Sequence, residues 1–135
     1  MQYWLIKSEP FKYSWDTFEQ EQRTFWDGVR NYQARNYLRQ MKLDDLALWY
    51  HSNEGKEIVG IAQVIKEHYP DPTATEGDWS VVEFAPFKKL KNPVSLATLK
   101  SHPVLSQMNI FRQMRLSVVA VTQEEFETIL ALSNQ

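Results

Sequence analysis

Few of the helical stretches in this chain are long enough to carry one strand back beside another in parallel, and this limits the folds open to it. Runs of β-forming residues occur at Tyr3–Ser8, Leu46–Ser52, Ile58–Ile65, Ser80–Phe87 and Leu116–Val121. Between them lie helical signals from Trp15 to near Gln22, over Asn31–Met41, over Ser95–Lys100, and after Thr122. Strands parted by such short helices do not build a doubly wound sheet. They predict an α+β domain in which a mixed, partly closed β barrel is flanked by short helices.

Local chemistry sharpens these boundaries. Ser14 is placed to cap the first helix, with Tyr13 and Phe18 as a hydrophobic staple across the cap. Thr122 and Glu125 form a capping box for the last helix, stapled by Val121 and Phe126. In the first strand Trp4 and Ile6 oppose Tyr3, Leu5 and Lys7; in the second, Leu46, Leu48 and Tyr50 oppose Ala47, Trp49 and His51. Trp49 is expected in the core. Asn53–Lys56 reads as a hairpin turn, and Gly60 as a bulge or a close backbone approach. Pro86 places the end of its strand at an edge or bulge, and Lys88–Lys91 reads as a solvated loop. Leu48, Ile61, Val82, Val119, Phe126 and Ile129 are expected to share one core.

At 135 residues the chain suits a single domain, 1–135, able to bury about two-thirds of its unfolded surface. It has no cysteine, which excludes disulfides, thiolate metal sites and a cysteine nucleophile. No apolar run approaches a membrane span and no signal peptide precedes Tyr3, so a cytoplasmic monomer without membrane contact is the expectation. Asp44, Asp45, His68, Asp71 and Asp78 are too scattered for a recognised metal spacing and read as turn and loop residues. The four glycines are isolated, so no phosphate-cradling loop is present, and no cofactor is expected. Fifteen basic against 17 acidic residues leave a net charge of −2, which argues against a broad, salt-driven duplex binder. Any affinity for nucleic acid needs a local cationic patch and a pocket.

Trp26–Asn36 (WDGVRNYQARN) supplies such parts. Trp26 offers a flat apolar plate, Gly28 a turn, and Asn31 a cap for a helix whose buried stripe is Ala34, Tyr37, Leu38 and Met41. Arg35, Arg39 and Lys42 form a separate cationic flank. With YWLIKSEP near the start, YHS at 50–52, GIAQV at 60–64 and YPDPT at 69–73, this stretch resembles the EVE domain family from Tyr3 to about Ile129. The resemblance implies a PUA-like pseudobarrel related to YTH and ASCH domains. It also implies a pocket for a flipped, modified base of cytosine type in DNA or RNA. One departure is Asp44-Asp45, where that family usually has Gly-Asp.

A base pocket needs a plate, partners for a base edge and cations for phosphates. Trp26 is the expected plate; Ser8, Asn31, His51 and Ser52 are the expected polar lining, and Lys7, Arg30, Arg35 and Arg39 the phosphate rim. No catalytic residue is assigned. A small hydrolase using Ser8 or Ser52 with His51 and Asp27 is an alternative that lacks a GxSxG elbow. A protein-interaction module is another, resting on an exposed patch of Met108, Ile110, Phe111 and Met114.

Overall fold

In the computed structural model, which describes residues 1–135, one sheet is built from β1 (Tyr3–Ser8), β2 (Thr24–Phe25), β3 (Leu46–His51), β4 (Glu57–Pro70), β5 (Ser80–Ser95) and β6 (Val118–Val121). The strand order is β2-β5-β4-β3-β1-β6. β1 and β3 run parallel, and every other pair is antiparallel. The helices are α1 (Trp15–Glu21), α2 (Tyr32–Gln40), α3 (Leu96–Ser101), α4 (Asn109–Arg112) and α5 (Gln123–Ser133), with a 3-10 turn at Leu105–Gln107. The expected α+β architecture of a mixed sheet flanked by short helices is the one observed. No helix is long and apolar enough to cross a membrane.

Both faces of the sheet are covered, so the alternating residues of β1 and β3 divide between two cores. Leu5, Leu46, Leu48 and Tyr50 join α3 and α5 on one side. Trp4, Ile6, Ala47 and Trp49 join Trp15 and Phe18 of α1 and Ala34 and Leu38 of α2 on the other. Leu48, Ile61, Val119, Phe126 and Ile129 share the first core as expected. Val82 does not: it lies in the second core beside Ala62 and Val64. The reason is register. β4 and β5 slip against each other between Ile58 and Gly60, Ile61 and Ala62, and Val64 and Lys66, and again before Tyr69. Each slip inverts the parity of the side chains that follow. Gly60 sits at the first of these, facing the ring of Trp15.

The caps form as the sequence indicates. Ser14 accepts from Thr17 N at 3.1 Å, and Thr122 and Glu125 exchange bonds of 3.1 and 2.9 Å. Asp44 takes φ +73°, a conformation that glycine adopts without strain and that Asp tolerates better than most residues. Its neighbour Asp45 is no ordinary turn residue. It is buried and accepts from Gln2 N, Trp4 Nε1 and Lys42 N, tying both chain segments together.

Two further expectations are corrected. Lys88–Lys91 is not a loop, because β5 continues past Pro86 to Ser95. Pro86 stands opposite Ala62 at a register slip, where a missing N–H is tolerated, and beyond it Leu90 points into the core while the lysines face solvent. The proposed apolar patch is likewise not a surface. Met108 and Ile110 are core residues and Phe111 packs against them, leaving Met114 alone exposed.

Candidate nucleic-acid interface

β2 and β6 are the two edges of the sheet, and the barrel is left open between them. A cavity of about 490 Å³ lies in this gap, lined by the end of β1 (Lys7, Ser8), by Glu9, Lys12 and Tyr13, by Thr24–Val29, and by Ser117 ahead of β6. Trp26 is fixed there by its backbone, which donates to Val82 O at 2.7 Å, and by its ring. That ring meets Trp49 edge to face at 5.1 Å and 80°, and Phe84 at 6.0 Å and 90°. Ser8 Oγ donates to the Tyr13 carbonyl, so its lone pairs remain to accept from a guest. Tyr13 donates to Glu21 Oε1 at 2.5 Å; burial and then this bond push its phenol up to about 12.

The mouth carries two cations, Lys7 and Lys12, and two carboxylates, Glu9 and Asp27. Lys12 and Glu9 pair at 3.2 Å, and Lys7 Nζ donates to Met114 O at 2.9 Å. Burial lowers the Lys7 pKa. So balanced a lining suits a neutral flat group better than a phosphate.

The segment that presents Trp26 is held by Asp71, a loop residue whose partners local sequence does not reveal. Gly28 turns the chain at φ +74°, with open space where a Cβ would stand, so glycine is needed there for conformation and not for room. Its N–H donates to Asp71 Oδ2 at 3.0 Å. Arg30 Nη1 reaches the same oxygen at 2.9 Å, and Thr73 gives Oδ1 two bonds of 2.7 and 2.6 Å. Burial works to raise the Asp71 pKa, but the bonds from Thr73, Arg30 and Gly28 outweigh it and hold the carboxyl at about 2. Its folded pKa thus lies below the unfolded value of 3.8. The stabilisation is complete above that unfolded value and is lost as pH falls through about 2. The expected contribution at neutral pH is about 2 kcal/mol. Acid titration of unfolding free energy for wild type and Asp71→Asn checks this: the variant should start lower and lose less between pH 4 and pH 2 (roughly the window set by the two pKa values).

Of the residues chosen from sequence, Ser8, Trp26 and Lys7 meet in the cavity. Asn31 lies outside it and caps α2, accepting from Gln33 N at 2.9 Å and Ala34 N at 3.0 Å. His51 also lies outside, because its Nε2 accepts from Trp15 N at 3.1 Å. Burial lowers the His51 pKa against the pull of Glu57 and Asp16, which keeps that nitrogen an acceptor. Ser52 sits past the end of β3, its N–H bonded to Ser8 O at 2.9 Å. No serine hydroxyl is hydrogen-bonded to His51, so the alternative hydrolase set is not assembled. Thr24, Phe25 and Ser117 are lining residues that no local signal marks, since only sheet closure brings them together.

The cations of α2 stand on a neighbouring surface. Arg35 and Arg39 both reach Asp78, at 4.0 and 2.7 Å, and Arg39 Nε donates to Ser80 Oγ at 2.9 Å. Tyr32 and Trp79 stack at 5.0 Å and 18°, with Arg30 5.6 Å from the Trp79 ring and Arg35 5.0 Å from that of Tyr32.

The EVE domain family model matches residues 2–132. Thymocyte nuclear protein 1 of Mus musculus is 40% identical over 164 residues, which cover 96% of this chain and 73% of that protein. The crystal structure of human THYN1 in complex with 5-methylcytosine-containing DNA is similar at a TM-score of 0.92 and 37% identity, covering 100% of this chain and 99% of that one. An ASCH structure from Zymomonas mobilis shares the fold at a TM-score of 0.63 and 13% identity, over 97% of this chain and 95% of that one.

Proposed function

This chain belongs to the EVE domain family, and from that premise we propose that it binds DNA carrying a modified cytosine, takes the flipped base into the cavity beside Trp26, and does no chemistry on it. The observation that carries this reading is the cavity itself: about 490 Å³, walled by an indole and without excess charge at its mouth. Its size falls in the range of about 300–1,000 Å³ typical of small-ligand sites. The similarity to a human structure holding 5-methylcytosine DNA supports the choice of base.

The chemistry of the lining fits a cytosine edge. Its exocyclic amine needs an acceptor, which the Ser8 hydroxyl or the carboxylates of Glu9 and Asp27 supply. Its carbonyl oxygen needs a donor, and Thr24 and Lys12 stand in the same lining. An added methyl gains contact with apolar groups such as Phe25 and Val29, a discrimination of about 1–3 kcal/mol. Backbone phosphates fall to Arg30, Arg35 and Arg39, with Lys7 nearer the base.

A binding panel tests this: DNA oligonucleotides with one modified cytosine or adenine, their unmodified controls, and RNA of the same sequence. DNA with a modified cytosine should bind about tenfold tighter than its control. Equal affinity across the panel would overturn the reading, and stronger binding of the RNA would transfer it to that nucleic acid.

A further inference from the structure

We propose that a second nucleotide subsite lies beside the first, where Trp79, Arg35 and Arg39 meet, and that it takes the phosphate and base next to the flipped one in competition with the carboxylate of Asp78. This rests on reading the main cavity as a base site.

Arg35 and Arg39 are one turn apart on α2, and both guanidinium groups converge on Asp78 in the connection between β4 and β5. Arg39 Nη2 is 2.7 Å from Asp78 Oδ1, and Arg35 Nη1 is 4.0 Å from Oδ2. Both also donate to the Asp78 carbonyl, at 3.1 and 3.3 Å. The cations are held in place: Arg35 by Asn36 Oδ1 at 2.9 and 3.2 Å, Arg39 by Ser80 Oγ at 2.9 Å. Their side chains are only 16% and 28% exposed, whereas that of Asp78 is 80% exposed. Two ordered guanidinium groups around one solvated carboxylate make a site whose anion is easily exchanged, since exposed pairs contribute little. A phosphate brings more acceptor oxygens and suits the guanidinium fork. Asp71 is the contrast, fully buried and saturated with donors.

A base fits beside that phosphate. Trp79 walls a groove of about 410 Å³ together with Tyr69 and Arg39, and Tyr32 stacks against it. Flat aromatic walls flanked by cations take bases without regard to sequence. A single hydrogen bond links the walls of the two sites. Gly28, in the lining of the main cavity, is bonded to Asp71, whose neighbour Pro70 lines the second groove.

The test compares wild type, Asp78→Asn, Asp78→Asn with Arg39→Ala, and Glu127→Gln as a neutralised carboxylate on α5. The probes are 5-methyl-deoxycytidine monophosphate and a short oligonucleotide carrying the same base, with its unmodified control. Asp78→Asn should tighten both oligonucleotides about threefold and steepen the logarithmic salt dependence by roughly 0.7–0.9. The ratio of modified to unmodified binding and the affinity for the mononucleotide should not change, and Arg39→Ala should erase the gain. An unchanged or weakened Asp78→Asn protein that melts like wild type overturns the subsite, as does an equal gain in Glu127→Gln. If wild type shows no preference for the modified base but Asp78→Asn still gains, the main-cavity reading fails and the second site stands.

Discussion

Replacing Trp26 by Ala is expected to abolish the preference for a modified cytosine while leaving weak, salt-sensitive binding. The indole is the largest aromatic surface lining the cavity and is anchored from behind by Trp49 and Phe84. A flipped base gives up a few kcal/mol on leaving its stack, and an aromatic plate returns about 1–3 kcal/mol of it. Without the plate the base has too little reason to enter, modified or not. The guanidinium groups of Arg30, Arg35 and Arg39 lie outside the cavity and should still hold phosphates. The substitution also removes packing on Trp49, so unfolding must be measured alongside binding. Trp26→Phe is the cleaner probe, keeping an aromatic ring and a reduced preference. A folded Trp26→Ala protein with wild-type selectivity would place the base elsewhere.

The second large effect is on stability. A Cβ added at Gly60 would stand 2.6 Å from three carbons of the Trp15 ring. That ring cannot step aside, because it is 2% exposed and wedged edge to face against Phe18 at 5.3 Å and Trp49 at 5.6 Å. Backbone must move instead, at the bulge that sets the register of β4 on β5. Gly60→Ala should therefore cost about 3 kcal/mol, at the upper end for overpacking. Denaturant unfolding reads the loss directly. A shift within the ordinary surface range, about 0.5 kcal/mol, would mean that α1 does not press on this strand.

Gly60 also illustrates how far a chain can be read without its structure. An isolated glycine within an apolar strand run marks a bulge or a close approach, and here it is both. The caps at Ser14, Asn31 and Thr122 and the alternation of Leu46–Tyr50 were equally legible, because their partners lie within a few residues. Val82 was misplaced for the converse reason. Its face depends on slips accumulated along β4 and β5, and a period of two cannot be carried across them.

The site divides in the same way. Trp26, Gly28 and the arginines of α2 stand out by residue type and spacing, and the similarity of whole blocks points to a base pocket. Sequence by itself thus determined the capped helix starts, the alternation of β1 and β3 and the family to which the chain belongs. Only the tertiary structure decided what shares the cavity. Sheet closure brought Ser8, Tyr13 and Ser117 to Trp26 and left Asn31, His51 and Ser52 outside with other hydrogen-bond partners. It also paired Asp71 with Gly28 and Arg30, and Asp78 with Arg35 and Arg39, across about forty residues of chain. A carboxylate's role follows from the donors folded around it, and those donors come from distant segments that local spacing does not encode.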